Sequence, residues 1–320
     1  MGVPTGKKVA FWVLVSLSLV MVACNAPARL TPTATALALP TAVPTPAATQ
    51  PPPSPTSTPT KSIPLILTTP PATATPIFKG PYAVILLGQG ETLNVRQAAG
   101  TDQPIVGQLT TVDKDILLTG RESAIGDQLW VEIRRSAGDT GWVNAHYLSE
   151  YVLSEAFCAD AQVPDLIEQF KAVILNQDGE VLSALVSPTH GLSVTYLRTG
   201  RTANYSREEA RWVFSSDYVT NWGTHPASGL EIQGTFRAEV LPTLVEVLSA
   251  NYTQTCNDPG PGGMTYLYTW PVEYTNLNYQ ALHKPGTPSV DLDWRTWLVG
   301  VEYIDGKAYL FALLHLFWEP

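Results

Sequence analysis

Fourteen of the chain's 27 prolines fall between residues 26 and 78, and that concentration separates what can fold from what cannot. Residues 25–78 also hold 13 threonines, with Arg29 and Lys61 as their only charges. Each proline removes a backbone donor and fixes φ, and apolar side chains are too sparse here to offset the entropy of ordering a core. The stretch therefore reads as a disordered or polyproline-like stalk, reaching roughly 160 Å if fully extended and about 40 Å as a coil. A fold has to be built from residues 79–320. All 28 acidic residues lie in that part against 15 of the 19 basic ones, a net of −13. So acidic a surface repels phosphate backbones and argues against a nucleic-acid partner.

Ahead of the stalk, Lys7 and Lys8 precede the apolar run Val9–Ala23. That run is shorter than the ~20 residues that span a bilayer and has the flanks of an export signal. It ends in Met21-Val22-Ala23-Cys24, which resembles a bacterial lipobox, with Met21 where Leu is more usual. The resemblance implies that residues 1–24 are a lipoprotein signal peptide. Cys24 would then be acylated and become the mature N-terminus, a lipid anchor that moors the chain outside the cytoplasmic membrane. A signal peptide cut near Ala23, or an uncleaved anchor, would leave residues 25–320 in the same place.

Residues 79–152 carry short apolar runs at the spacing of an all-β module: Ala83–Leu87, Leu93–Arg96, Ile105–Leu109, Ile116–Thr119, Leu129–Arg134 and Gly141–Asn144. Turn-prone pieces such as Ala99-Gly100-Thr101-Asp102 separate them. Leu93-Asn94-Val95-Arg96, Ile105 with Gly107, Trp130, Gly141-Trp142-Val143 and Tyr147-Leu148 together resemble the bacterial SH3 domain family. Gln97-Ala98-Ala99-Gly100 departs from the family's usual Ser-Gly-Pro-Gly. The resemblance implies an SH3-like barrel that binds cell-wall peptide or another extended ligand without catalysis. If Val131, Ile133 and Val143 face the core, Trp130 and Trp142 lie on the opposite face. There they could form an aromatic platform with Tyr82 and Tyr147. Arg96 could meet a ligand carboxylate or an internal acid. Burial of the two indoles as barrel end and strand cover is the competing reading.

Residues 153–320 read as a second, α+β domain with helices on an antiparallel sheet. Leu166, Ile167, Phe170, Val173 and Ile174 recur at helical spacing after Pro164-Asp165, and Gln177-Asp178-Gly179 breaks the pattern before Val181–Val186. Ser206-Arg207-Glu208-Glu209 is a capping box, and Pro242–Ser249 predicts a further helix. Strands are predicted at Leu192–Leu197, Thr265–Trp270 and Leu277–Leu282. A closing hairpin runs from Trp297–Tyr303 through Asp305-Gly306 to Tyr309–Phe317. The helix pair Leu166–Val186 is similar to that of nuclear-transport-factor-2-like domains, whose curved sheet encloses a pocket.

With Cys24 assigned to lipid, Cys158 and Cys256 are an even pair in an oxidising compartment and are expected to form a disulfide. The competing use of Cys158, as a peptidase nucleophile with His190 or His225 as base, lacks the Asp-Cys-Ser sequence that opens the nucleophile helix in cell-wall peptidases. His190, His225, His283 and His315 stand singly, so no metal or cofactor motif is present. Asp291-Leu292-Asp293 puts two carboxylates on one face of an extended segment, with Glu231 and Glu302 as further acids, but nearby acids in so acidic a protein are weak evidence for acid–base chemistry. Trp222 and Trp294 sit in polar, loop-like sequence and are the second domain's candidates for ligand contact. The sequence thus points to a non-catalytic lipoprotein binding a cell-wall peptide or glycan. A wall hydrolase and a small-solute pocket protein remain the alternatives.

Overall fold

A computed structural model of the protein describes residues 79–135, 138–260, 266 and 268–320; the expected signal peptide with Cys24 and the expected stalk lie outside the described residues. Seven strands form a first sheet: β1 Lys79–Val84, β2 Leu93–Arg96, β3 Ile105–Leu109, β4 Ile116–Ile125, β5 Gln128–Arg134, β6 Thr140–Asn144 and β7 Leu148–Glu150. They pair antiparallel in the order β3-β2-β6-β5-β4-β1-β7. Val84, Leu87, Leu93, Val95, Ile116, Leu118, Val131, Ile133, Val143 and Leu148 make its core. The alternating apolar positions of β2 and β5 supply this face, because successive strand side chains point to opposite sides. β1 begins earlier than its apolar run suggests and ends before Ile85; Leu86, at φ 61°, turns the chain away.

Beyond it come helices α1 Ser154–Ala159, α2 Gln162–Asn176, α3 Gly179–Leu185, α4 Arg207–Trp212 and α5 Leu241–Ser249. Gln177 takes a left-handed conformation that ends α2, and Asp178 caps α3 by accepting the Val181 N–H at 3.1 Å. Gly179 is required where α3 meets α4, since a Cβ there would strike the Arg211 carbonyl. The capping box of α4 forms through Ser206 and Glu209.

Six strands make the second sheet: β8 Leu192–Thr195, β9 Thr202–Tyr205, β12 Thr253–Cys256, β13 Asn278–Lys284, β14 Arg295–Ile304 and β15 Lys307–Phe317, ordered β12-β13-β14-β15-β8-β9. β10 Thr220–Thr224 and β11 Glu231–Gly234 form a separate hairpin. The sheet is antiparallel except where β8 runs parallel to β15, a correction to the fully antiparallel expectation. The cause is topological: β8 enters beside β15 from the helical layer and not from a hairpin. Of the strand predicted at Thr265–Trp270, the described residues 268–270 are not strand. Asp305 and Gly306, both at positive φ, turn β14 into β15. Cys158 at the end of α1 is disulfide-bonded to Cys256 on β12, with a Cα–Cα distance of 5.8 Å.

The two sheets belong to one compact unit. Ile85 leaves the first core and packs with Tyr274, Leu277, Leu298 and Phe311. Asn276 Nδ2 donates to the carbonyls of Val84 and Thr111, each at 2.8 Å, and the Leu86 N–H donates to the Glu273 carbonyl at 2.7 Å. Glu150 accepts the backbone N–H groups of Asp305 and Gly306 at 2.7 and 3.0 Å, so the first sheet braces the closing turn of the second.

Deepest at this junction, Glu302 Oε2 lies 2.7 Å from His190 Nδ1 and accepts from Ser149 Oγ at 3.4 Å. His190 Nε2 lies 3.1 Å from the His146 carbonyl, so both ring nitrogens face oxygen acceptors. The His190 and Glu302 side chains are 2 % and 0 % exposed, which leaves no water to replace either partner. Removing one partner of such a pair costs about 3–5 kcal/mol. Glu302→Ala is therefore expected to lower urea-unfolding stability by that amount, and Glu302→Gln, which keeps a hydrogen-bonding oxygen, by less. Reduction of Cys158–Cys256, separated by 98 residues, should lower it by roughly 4–5 kcal/mol in a matched melt with dithiothreitol.

Candidate functional site

A groove of about 550 Å³ opens on the first sheet. Its walls include Glu91 and Thr101 from loops, Asn94 and Arg96 of β2, Trp130 of β5, Asn144 at the end of β6, and Tyr147 from the single helical turn that follows. Asn144 Oδ1 accepts the His146 N–H at 3.0 Å, and Asn94 Oδ1 accepts from Gln108 Nε2 at 3.1 Å. Their amide N–H groups are thus the ends left to meet a ligand. Arg96 Nη1 donates to the Gln103 carbonyl at 2.6 Å, so the guanidinium first serves to shape the β2–β3 loop. Glu91 accepts the Gly88 N–H. The result is a shallow trough with an aromatic wall, amide donors and one charge of each sign, suited to an extended polar ligand.

The proposed platform is only partly assembled. Trp130, Tyr147 and Arg96 do share the groove, but Trp130 is 3 % exposed and contributes only an edge. Trp142, 8 % exposed, lies elsewhere beneath the Arg121 guanidinium, which sits 5.4 Å from its ring. The second face of β5 is covered because Glu132 gathers Thr119 Oγ1, Arg121 Nη1 and Thr140 Oγ1 at 2.8–3.1 Å over it. Tyr82 is on β1 beside Glu150 and outside the groove; burial and that carboxylate push its hydroxyl up to about 12.

Trp222 and Trp294 correct the sequence reading, since both are buried. Trp222 is wholly inside and donates Nε1–H to the Gly234 carbonyl at 3.1 Å, its polar neighbours lying on the outer face of the β10–β11 hairpin. Trp294 turns inward towards the His283 ring, while the adjacent Asp293 accepts the Thr287 N–H at 2.7 Å outside. Asn94, Asn144 and Glu91 were not singled out by sequence; ordinary polar side chains beside strands carry no distinguishing signal.

The elements of a cysteine nucleophile are not brought together. Cys158 is in its disulfide, His190 is paired with Glu302, and His225 Nδ1 accepts the Ala227 N–H at 3.2 Å. Among the described residues no cluster of three His, Cys, Asp or Glu side chains could hold a metal. His315 stacks with Trp297, Phe317 and Tyr196, 4.7, 5.1 and 5.3 Å from their centroids, and burial holds its imidazole down to about 3. Burial also lowers His146 and His283.

The comparisons with known proteins agree with the first sheet. Residues 91–149 match the bacterial SH3 domain family, so the chain carries a bacterial SH3 domain, typically a cell-wall binding or targeting module. No curated protein and no solved structure matches the chain.

The histidines set a pH dependence. A neutral buried imidazole binds fewer protons folded than unfolded, so stability is complete above the unfolded value of ~6.5 and falls as pH drops below it. His315 alone should remove about 1.4 kcal/mol per pH unit, or roughly 2 kcal/mol between pH 7 and 5, in urea melts. His315→Phe, which keeps the stack, should flatten that slope.

Proposed function

We propose that the protein is a non-catalytic, surface-anchored lipoprotein whose SH3 domain binds cell-wall peptide in the groove bounded by Trp130, Tyr147, Asn94, Asn144 and Arg96. The observation that carries this reading is the groove itself, formed by residues of the matched domain with unoccupied amide donors beside aromatic rings. Stem peptides of peptidoglycan present amides and carboxylates in extended form, the complement of these groups. The Met21–Cys24 motif supports acylation at Cys24, and the Pro/Thr composition of residues 25–78 supports a stalk that holds the domain away from lipid.

Co-sedimentation of the full chain with purified peptidoglycan tests the binding. The double variant Tyr147→Ala, Asn144→Ala should lose five- to thirty-fold in affinity, the range of about 1–2 kcal/mol for groove contacts. Its melting temperature serves as the control for folding, because Tyr147 and Asn144 are only half-buried. Undiminished binding by the folded double variant rules the groove out. Radiolabelled palmitate should enter the wild type and not Cys24→Ser; labelling of both rules out the anchor.

A further inference from the structure

A second cleft, of about 570 Å³, lies against the far end of the second sheet. Among the described residues, strand β9 is the last strand of that sheet and pairs only with β8. One wall of the cleft is the unbroken run Arg201, Thr202, Ala203, Asn204 and Tyr205; another is the unbroken run Tyr218, Val219, Thr220 and Asn221. A strand shows alternate residues on a face and consecutive residues only along its edge. The cleft is therefore a slot between two backbone edges, and every second residue of β9 aims its N–H and C=O into it. At its apex the edges are pinned: the Arg201 N–H donates to the Trp222 carbonyl at 3.3 Å, and Gly200 and Gly223 allow that approach because a Cβ at Gly200 would strike the same carbonyl. Away from the apex no ladder joins β9 to β10.

The rest of the lining adds side-chain recognition. Trp212 and Tyr218 are 55 % and 73 % exposed at the slot, over a floor that includes Phe236. Phe236 opens a π-helical turn, Phe236–Val240, a distortion that recurs at functional sites. Arg201 makes no ion pair among the described residues, and Glu209 is already engaged by the Ser206 N–H and hydroxyl. An open strand edge, flanking aromatics and an unpaired guanidinium match one occupant: an extended peptide that adds a strand to β9, lays apolar side chains against Trp212 and Tyr218, and gives a carboxylate to Arg201.

We propose that the slot between residues 201–205 and 218–221 is a second peptide-binding site, which takes an extended segment with a carboxylate at the Arg201 end by strand addition to β9. This site is independent of the SH3 groove and of the reading given to it.

A random heptapeptide library with free carboxyl ends, selected on the full chain, tests it. Enriched sequences are expected to alternate apolar and polar residues and to slow hydrogen–deuterium exchange of the 202–205 amides. Amidation of the peptide, Arg201→Gln, or Trp212→Ala should each weaken binding at least tenfold, with thermal midpoints unmoved because both side chains are exposed. The proposal is overturned if no peptide is enriched, or if enriched peptides bind the Arg201→Gln and Trp212→Ala chains unchanged and protect the SH3 groove instead. It is equally overturned if chitotetraose, and no peptide, protects residues 202–205, which would make the slot a glycan site.

Discussion

A carboxylate with no exposed surface holds this molecule together. Glu302 sits near the C-terminal end of β14, where the second sheet meets the SH3 domain, and the groups that meet its Oε2 come from elsewhere in the chain. His190 arrives from the turn before β8, and Ser149 from β7 of the SH3 domain; the His146 carbonyl then holds the far side of the imidazole. A buried polar group that loses its hydrogen-bond partners costs free energy that no water can return. Separating the two sheets would strip the buried His190–Glu302 contact of the Ser149 hydroxyl and the His146 carbonyl, and the apolar insertion of Ile85 adds to the same constraint.

This junction also places the SH3 groove. The short turn Ala145–Tyr147 supplies the His146 carbonyl to His190 on one side and Tyr147 to the groove wall on the other. The Tyr147 carbonyl in turn accepts the Ile85 N–H at 2.9 Å, where the chain leaves the first core. A ligand in the groove would therefore meet a wall set by the interior of the second sheet. The domain is not a bead free to turn on its neighbour, and the slot beside β9 keeps a constant bearing to it.

Local signals in the sequence were read well where one face decides the outcome. The alternation in β2, the Ser206–Glu209 box and the Asp305-Gly306 turn each depend on a few adjacent residues and appear where the pattern places them, whereas in β5 Trp130 to Ile133 are all buried. The aromatic side chains were harder. Trp222 and Trp294 have polar neighbours and Trp142 stands opposite the core residue Val143, yet all three are buried, Trp142 beneath Arg121 from a distant part of the sequence. Alternation separates two faces of a strand but cannot say what lies over the second. The slot is not legible in the sequence for a related reason: an unpaired strand edge is a property of sheet order, and nothing in Thr202–Tyr205 distinguishes it from an interior strand.

The position of β1 bears on how the folded part answers tension. β1 lies between β4 and β7: Lys79 and Tyr82 pair with β4, and Tyr82, Ala83 and Val84 pair with β7. A load entering through Lys79 cannot peel a border strand bond by bond but must shear two ladders together, deep inside the sheet.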